Sequence, residues 1–483
     1  MKLRGADVIA RTLAASGVRH VFTLSGNHVM PIFDASLDAG LSLIHVRHEA
    51  AAVHMADAWG RLTGEPGIAL VTGGPGHANA LGALYTALAA GSPMLLISGH
   101  APLNELGKGA FQEMPQAELA KPLTVASWTA QSAAEIAKAL REAHRGPVHL
   151  SVPNDVLDAF VDAEVMAVPP PDDVSTPLPA DLLAARRPLI VAGPRALHAD
   201  GREQLARLEE QSGIPVVPME SPRGVNDPAL GKLAAVLSRA DVVLLLDKAL
   251  DFTLRFGQAF AGGCRVLHAT GRLRASGEAK SGWRDEVRAA LAYRPPEWQR
   301  IAGSSHPVAV CREVQKLLDA PQAVLVADGG EFGQWAQACL QAPRRIINGP
   351  AGSIGSALSF GLAAKLAFPH EPVVAMMGDG TFGFHMAELD TAVRYGLNVV
   401  VVIGNDACWN AEFQIALKAY GKDRARNLDL LPTRYGAVAA GLGAHGEDVN
   451  DVKDLPAALA RAAGSGKPAC VNVMIERLPA PKY

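Results

Sequence analysis

The chain has 483 residues, 49% of them hydrophobic and 19% charged, which suits about three domains of roughly 150 residues each and excludes a disordered protein. A formal net charge of −3 with no Lys/Arg cluster offers no basic face to nucleic acid, and no stretch approaches the ~20 apolar residues that span a bilayer. Five cysteines, Cys264, Cys311, Cys339, Cys408 and Cys470, form no CxxC and no disulfide framework, so a reducing, cytoplasmic setting is expected.

The N-terminus, MKLRGADVIARTLAASGV, sets apolar residues at helical spacing with charges between them, unlike a signal peptide. Short apolar runs then alternate with Ala-rich helical patterns, the mark of βαβ units and parallel sheets. The runs include VFTL at 21–24, IALVTG at 68–73, MLLISG at 94–99 and PVHLSV at 147–152. A Pro-rich stretch, AVPPPDDVSTPLP at 167–179, predicts an extended, exposed linker. Runs PLIVAG at 188–193 and VVLLLD at 242–247 follow, and YRPPEWQRIAGSSHP at 293–307 is a second, less clean linker. The remaining runs are AVLVAD at 323–328, VVAMMGD at 373–379, NVVVVIGND at 398–406 and CVNVMI at 470–475. Many runs end in Gly, Asn or Asp, so strand ends lead into loops able to hold ligands at sheet switch points. The expected organisation is an N-terminal domain at 1–166, a shortened middle domain at 180–294 and a C-terminal domain at 306–483.

The most informative segment is Gly378-Asp379-Gly380-Thr381, between an apolar run and a helical pattern. Its glycines let backbone N–H groups approach a phosphate, the helix start adds a favourable dipole, and Asp379 supplies the hard oxygen that Mg²⁺ prefers. Alone, the segment is equally a plain strand–turn–helix corner. Twenty-four residues separate Gly380 from Asn405-Asp406, room for a helix and a return strand that would bring a second acid beside the first.

This pairing resembles the signature of thiamine-diphosphate enzymes, in which Asp406 stands where a second Asn is usual. The resemblance continues through VFTLSGNHVMPIFD, HVRHEAAAVHMADAWGRLTG, VTGGPGHAN, SPMLLISGHAP, GAFQEMPQ and AGSIGSALSFGLAAKLAFP, in the order found in the acetolactate-synthase-like and 2-hydroxyacyl-CoA lyase branch. It implies an α/β fold of three domains, each a mainly parallel sheet flanked by helices, with thiamine diphosphate and Mg²⁺ as cofactors.

By the same resemblance, Glu49 is the catalytic acid–base that hydrogen-bonds the cofactor's aminopyrimidine, and Thr72, Pro75 and Asn79 surround that ring. Ile354 is the apolar wedge that bends the cofactor. Gly378, Asp379, Gly380 and Thr381 meet the diphosphate, and Asp379, Asp406 and the carbonyl of Cys408 bind the metal. Gly330, Glu331 and Phe332 match the loop that caps the diphosphate, without the family's Gln and His. Phe111 and Gln112 match an active-site pair, with Gln112 donating to a carbonyl oxygen where charge develops.

The expected activity is decarboxylation of a 2-oxo acid followed by condensation, as in acetolactate synthases. The alternatives are a 2-hydroxyacyl-CoA lyase, a simple 2-oxo acid decarboxylase, or a catalytically inactive binding protein of the same fold. Retention of Glu49 and the metal spacing weighs against the last. Val125 and Phe332 depart from the biosynthetic acetolactate synthases, and the shortened middle domain weighs against FAD. A homodimer, or a dimer of dimers, with active sites at the subunit interface is implied.

Overall fold

The computed structural model describes residues 2–162, 165–172, 174–279 and 282–482. The chain folds into two compact units. The first comprises Met1–Asp172, Leu362–Pro369 and Ala387–Leu397; the second comprises Asp173–Gly361, His370–Met386 and Asn398–Tyr483.

The first unit is built on six parallel strands, β1 (His20–Thr23), β2 (Ser42–His45), β3 (Gly67–Val71), β4 (Met94–His100), β5 (Ala126–Thr129) and β6 (Pro147–Pro153). Their order is β2-β1-β3-β4-β6-β5. The central strands β3, β4 and β6 are buried along their whole length, which the mainly apolar runs of the sequence suit, with buried Ser98, His100, His149 and Ser151 the polar exceptions. Helices α1 (Glu49–Thr63) and α2 (Pro75–Ala90) cross over between strands, and each ends on a left-handed glycine, Gly64 and Gly91.

The second unit is built mainly on two larger parallel sheets. The smaller one comprises β7 (Pro188–Ala192), β8 (Val216–Pro218), β9 (Val242–Leu246) and β10 (Arg265–Ala269), in the order β8-β7-β9-β10. The larger one comprises β11 (Val324–Ala327), β12 (Arg344–Ile347), β13 (Val373–Gly378), β14 (Val400–Asn405), β15 (His445–Val449) and β16 (Ala469–Met474), in the order β12-β11-β13-β14-β16-β15. Helices α3 (Gly330–Cys339), α4 (Ala357–Ala367), α5 (Asp379–His385), α6 (Glu388–Arg394) and α7 (Asn410–Tyr420) complete the elements that matter below; α6 and the C-terminal half of α4 belong to the first unit. The fold is thus mixed α/β, with parallel sheets flanked by helices.

The two linker stretches are more tightly held than their composition suggests. In the first, Val168 is buried and donates its N–H to Ser16 Oγ, and Ser175–Pro177 pairs as a short strand with Arg272–Arg274. The second is packed rather than free: Trp298 lies 5.3 Å from Trp335, and Arg294 donates to the carbonyls of Ala338, Leu291, Tyr293 and Ala229. Among the described residues no helix is long and apolar enough to cross a membrane.

Candidate active site

In the first unit the chemistry-bearing residues gather where β1 and β3 end. From β1 the chain turns outward to β2 and then crosses to β3 on the other side, so a crevice opens between β1 and β3 at their C-terminal ends. Gly26, after β1, passes so close to Thr72, after β3, that a Cβ there would lie 2.4 Å from the Thr72 Cβ. Glu49 is the first residue of α1 and is buried. Its Oε2 accepts a hydrogen bond from Asn79 Nδ2 at 3.0 Å. Pro75 opens α2, and at Gly76 a Cβ would come within 3.4 Å of Glu49 Oε1 and 2.8 Å of Thr72 Cγ2. Glu49, Thr72, Pro75 and Asn79 therefore share one small region.

The loop bearing Phe111 and Gln112 reaches the same turn. Gln112 sits at φ 57°, a strained conformation for a non-glycine residue, and its carbonyl oxygen would be 2.6 Å from a Cβ on Gly74. Phe111 is 67% exposed and stacks on His28 at 5.9 Å, and His28 Nδ1 is 3.2 Å from Thr72 Oγ1. The Glu113 carboxylate, which accepts the N–H groups of Gly107, Ala110 and Gly109, ties this loop and has its pKa lowered by those bonds. His77 lies behind the turn with Nδ1 2.9 Å from Ser98 Oγ, and burial pushes its pKa down to about 4. His48 caps α1, its Nδ1 accepting from Ala50 N–H at 3.1 Å.

In the second unit a cleft of about 220 Å³ opens at the equivalent ends of β11, β13 and β14. Gly330, Glu331, Phe332, Ile354, Gly378, Asp379, Gly380, Thr381, Asp406 and Cys408 all line it. Strand register explains the meeting of the two acids: Gly378 on β13 is opposite Gly404 on β14, so the residues following each strand emerge side by side. At Gly380 a Cβ would sit 2.7 Å from the Trp409 ring, so any larger residue there would displace that side chain. Asp379 is 2% exposed and its Oδ2 is buried with no hydrogen-bond partner. Burial raises the Asp379 pKa to about 6, despite the N–H groups of Gly380, Cys408 and Asp406. Burial, with the Asp379 charge adding to it, raises Asp406 to about 7. A buried carboxyl with an orphaned oxygen, sharing one cleft with the half-buried Asp406, is an arrangement a hard cation would satisfy. The described residues contain no cluster of three His, Cys, Asp or Glu side chains, so such an ion would draw its remaining ligands from carbonyls, water or a bound anion.

The remaining sequence-selected residues have distinct settings. Phe332 packs its ring beneath Gly404, where a Cβ would be 2.4 Å away, and belongs to the core of this sheet. The Glu331 carboxylate accepts from Arg223 Nη2 at 3.0 Å and from the Ala480 N–H at 3.0 Å. Ile354 approaches Gly329 so closely that a Cβ there would be 2.8 Å from its Cγ2. Thr381 Oγ1 donates to the Gly378 carbonyl at 3.0 Å. Asn405 turns inward, bonding the Thr433 carbonyl and Asn472, which leaves Asp406 as the cleft-facing member of that pair.

Sequence reasoning did not single out four residues that shape the cleft. Asp328, fully buried, accepts the N–H groups of Gly329, Gly355 and Ala357 and so fixes the Ile354 loop to the end of β11; burial raises its pKa to about 6. Arg223, Trp409 and Asn410 line the cleft. Asp328 ends an apolar run, a visible signal, whereas Arg223 arrives from the other sheet of its unit and carries none.

Residues 3–119 match the family described as thiamine pyrophosphate enzyme, N-terminal TPP binding domain, and residues 328–473 match its C-terminal TPP binding domain. A probable acetolactate synthase from Mycobacterium bovis is 34% identical over 98% of this chain and 96% of its own length. The chain belongs to the thiamine pyrophosphate enzymes. Human 2-hydroxyacyl-CoA lyase 2 is 29% identical over 98% of this chain and 90% of its own. The acetolactate synthase large subunit of Haemophilus influenzae is 28% identical over 84% of this chain and 82% of its own. This thiamine pyrophosphate enzyme is therefore acetolactate-synthase-like, and thiamine diphosphate is its cofactor. A larger cavity, about 640 Å³, lies elsewhere in the second unit against Arg294 and Arg312, but both guanidiniums are committed to backbone carbonyls. The smaller cleft, with its orphaned carboxylate oxygen, is the better candidate for the diphosphate end of the cofactor.

Proposed function

We propose that this enzyme decarboxylates a 2-oxo acid and joins the remaining acyl unit to a second carbonyl compound, using thiamine diphosphate with Mg²⁺. The observation that carries the reading is the buried, unpartnered Oδ2 of Asp379 beside Asp406 in the cleft. Asp379 and Asp406, with the Cys408 carbonyl, would hold the Mg²⁺, and Gly330 and Gly378–Thr381 would meet the diphosphate through their backbone. Bound thiamine diphosphate supplies a nucleophilic carbon at C2 of its thiazolium ring and a sink for the electrons left by decarboxylation.

The chain's own residues do the rest. Glu49 would exchange a proton with the aminopyrimidine of the bound cofactor, its burial keeping water from competing. Asn79 orients the Glu49 carboxyl. Ile354 would pack against the bound cofactor, and Thr72 and Pro75 would border its pyrimidine ring. Gln112 donates to the substrate carbonyl oxygen where negative charge develops, with Phe111 covering that position.

A second reading, 2-hydroxyacyl-CoA lyase, is supported by the full-length similarity to the human enzyme of that name. Incubating the protein with pyruvate, other 2-oxo acids and 2-hydroxyacyl-CoA esters, with and without thiamine diphosphate and Mg²⁺, separates the two by mass spectrometry. Cofactor-dependent CO₂ release with a condensed product supports the first reading. Cleavage of the CoA esters alone overturns it in favour of the second.

The three-domain division, at 1–166, 180–294 and 306–483, belongs to the same proposal, as does a homodimer whose two subunits share each site. Mixing inactive Glu49→Gln and Asp379→Ala proteins under subunit exchange then restores activity. No recovery overturns the shared site.

A further inference from the structure

The backbone that leads into Glu49 is held by a segment more than three hundred residues away in sequence. Strand β2 is an edge strand, so its outward N–H and C=O groups lack a neighbouring strand. Side chains of α6 and the residue after it take that place. Tyr395 Oη accepts from the His45 N–H at 2.8 Å and donates to the Leu43 carbonyl at 3.0 Å. Arg394 Nη2 donates to the His45 carbonyl at 2.6 Å. The Glu388 carboxylate accepts the Arg47 N–H, at 3.0 Å to Oε1 and 3.2 Å to Oε2. Only His48 then intervenes before Glu49.

Glu388 is itself set rigidly. It is 1% exposed, and Thr391, fully buried, donates its hydroxyl to Glu388 Oε2 at 2.6 Å. A carboxylate buried at desolvation cost and spent on a backbone amide fixes that peptide plane more firmly than a solvent contact would. Because α1 starts at Glu49, rotation of the preceding peptides would swing the carboxyl away from Asn79.

We infer that Glu388 is a positioning residue for Glu49, holding the peptide before α1 so that the Glu49 carboxyl keeps its direction. The inference rests on the role proposed for Glu49. Glu388→Gln keeps one acceptor for the Arg47 N–H and a polar partner for Thr391, whereas Glu388→Ala removes the carboxylate that holds the Arg47 N–H.

Three measurements test it. In the cofactor-free protein, amide exchange across 46–50 becomes about tenfold faster in Glu388→Ala and stays near the parent rate in Glu388→Gln. In the protein loaded with thiamine diphosphate and Mg²⁺, exchange of the C2 proton slows by about 10²-fold in Glu388→Ala, the cost of an ångström-scale misplacement, and Glu388→Gln restores most of it. Cofactor affinity by calorimetry changes less than the exchange rate does. Tyr395→Phe, a gentler change to the same brace, gives a smaller slowing in the same direction and serves if Glu388→Ala does not fold.

A C2 exchange rate in the folded brace variants equal to the parent's, while Glu49→Gln is slow, overturns the positioning role alone. A parent protein that binds no thiamine diphosphate, or a Glu49→Gln protein that exchanges at the parent rate, overturns the role of Glu49 and the inference with it.

Discussion

The two six-stranded sheets have the same strand order, each turning outward after its first strand and crossing back to its third, yet they carry opposite chemistry at the same place. In the first unit the crevice is filled by neutral contacts, with Thr72 against Gly26 and His28, and its one acid, Glu49, is already hydrogen-bonded to Asn79. In the second unit the corresponding crevice holds two acids pushed up to about 6 and about 7, one with an oxygen that bonds nothing. Topology supplies the crevice in both, and the loop residues decide what it receives. The first unit suits a neutral ring that exchanges one proton. The second suits a cation bridging to an anion.

The comparison breaks most readily at Asp379. Asp379→Ala removes the orphaned oxygen, so Mg²⁺-dependent binding of thiamine diphosphate should weaken by well over the 10–100-fold that supporting residues around metals typically cost. Calorimetric titration giving the parent affinity would remove the cation from the second crevice. Glu49→Gln should act differently. Cofactor binding survives, while exchange of its C2 proton slows by ~10²–10⁴. NMR of the bound cofactor reads this directly, and an unchanged rate would leave the first crevice without its catalytic role.

A smaller effect concerns pH. Burial holds His77, behind the first crevice, neutral, with a pKa of about 4 against an ordinary 6.5. Between these values the unfolded chain binds the proton and the folded chain does not, so stability falls as pH drops from about 6.5 to about 4, by up to ~3 kcal/mol. Urea unfolding of parent and His77→Gln across this window should show a shallower slope for the variant, and equal slopes would contradict a neutral His77. The smallest effect is expected at Asp406→Asn, which keeps an oxygen for the metal while relieving repulsion from Asp379. Cofactor affinity should stay within about threefold of the parent, since the ligand atom is preserved, and a large loss would mean that the charge itself is required.

What the sequence determined by itself follows from burial. The inner strands β1, β3, β4 and β6 of the first unit, β7 and β9 of the middle sheet, and β11, β13, β14 and β16 of the last sheet all carry apolar runs legible in the chain, because strands covered on both faces take mostly apolar side chains. The edge strands, such as Ser42–His45 (SLIH) and His445–Val449 (HGEDV), carry polar residues that break any apolar run and passed unnoticed because only one side of each is paired. The residues on strand-end loops were picked out through the resemblance to a family rather than by local pattern, since a Gly-Asp-Gly turn alone is equally a plain strand–turn–helix corner; the structure gathers Gly330, Ile354, residues 378–381, Asp406 and Cys408 around one cleft. Tertiary structure alone decided that Asp379 Oδ2 lacks a partner, that Arg223 reaches the cleft, and that Glu388 holds the peptide before Glu49. Each of these depends on a contact between residues far apart in the chain, and no local pattern of residue types records where such a side chain ends.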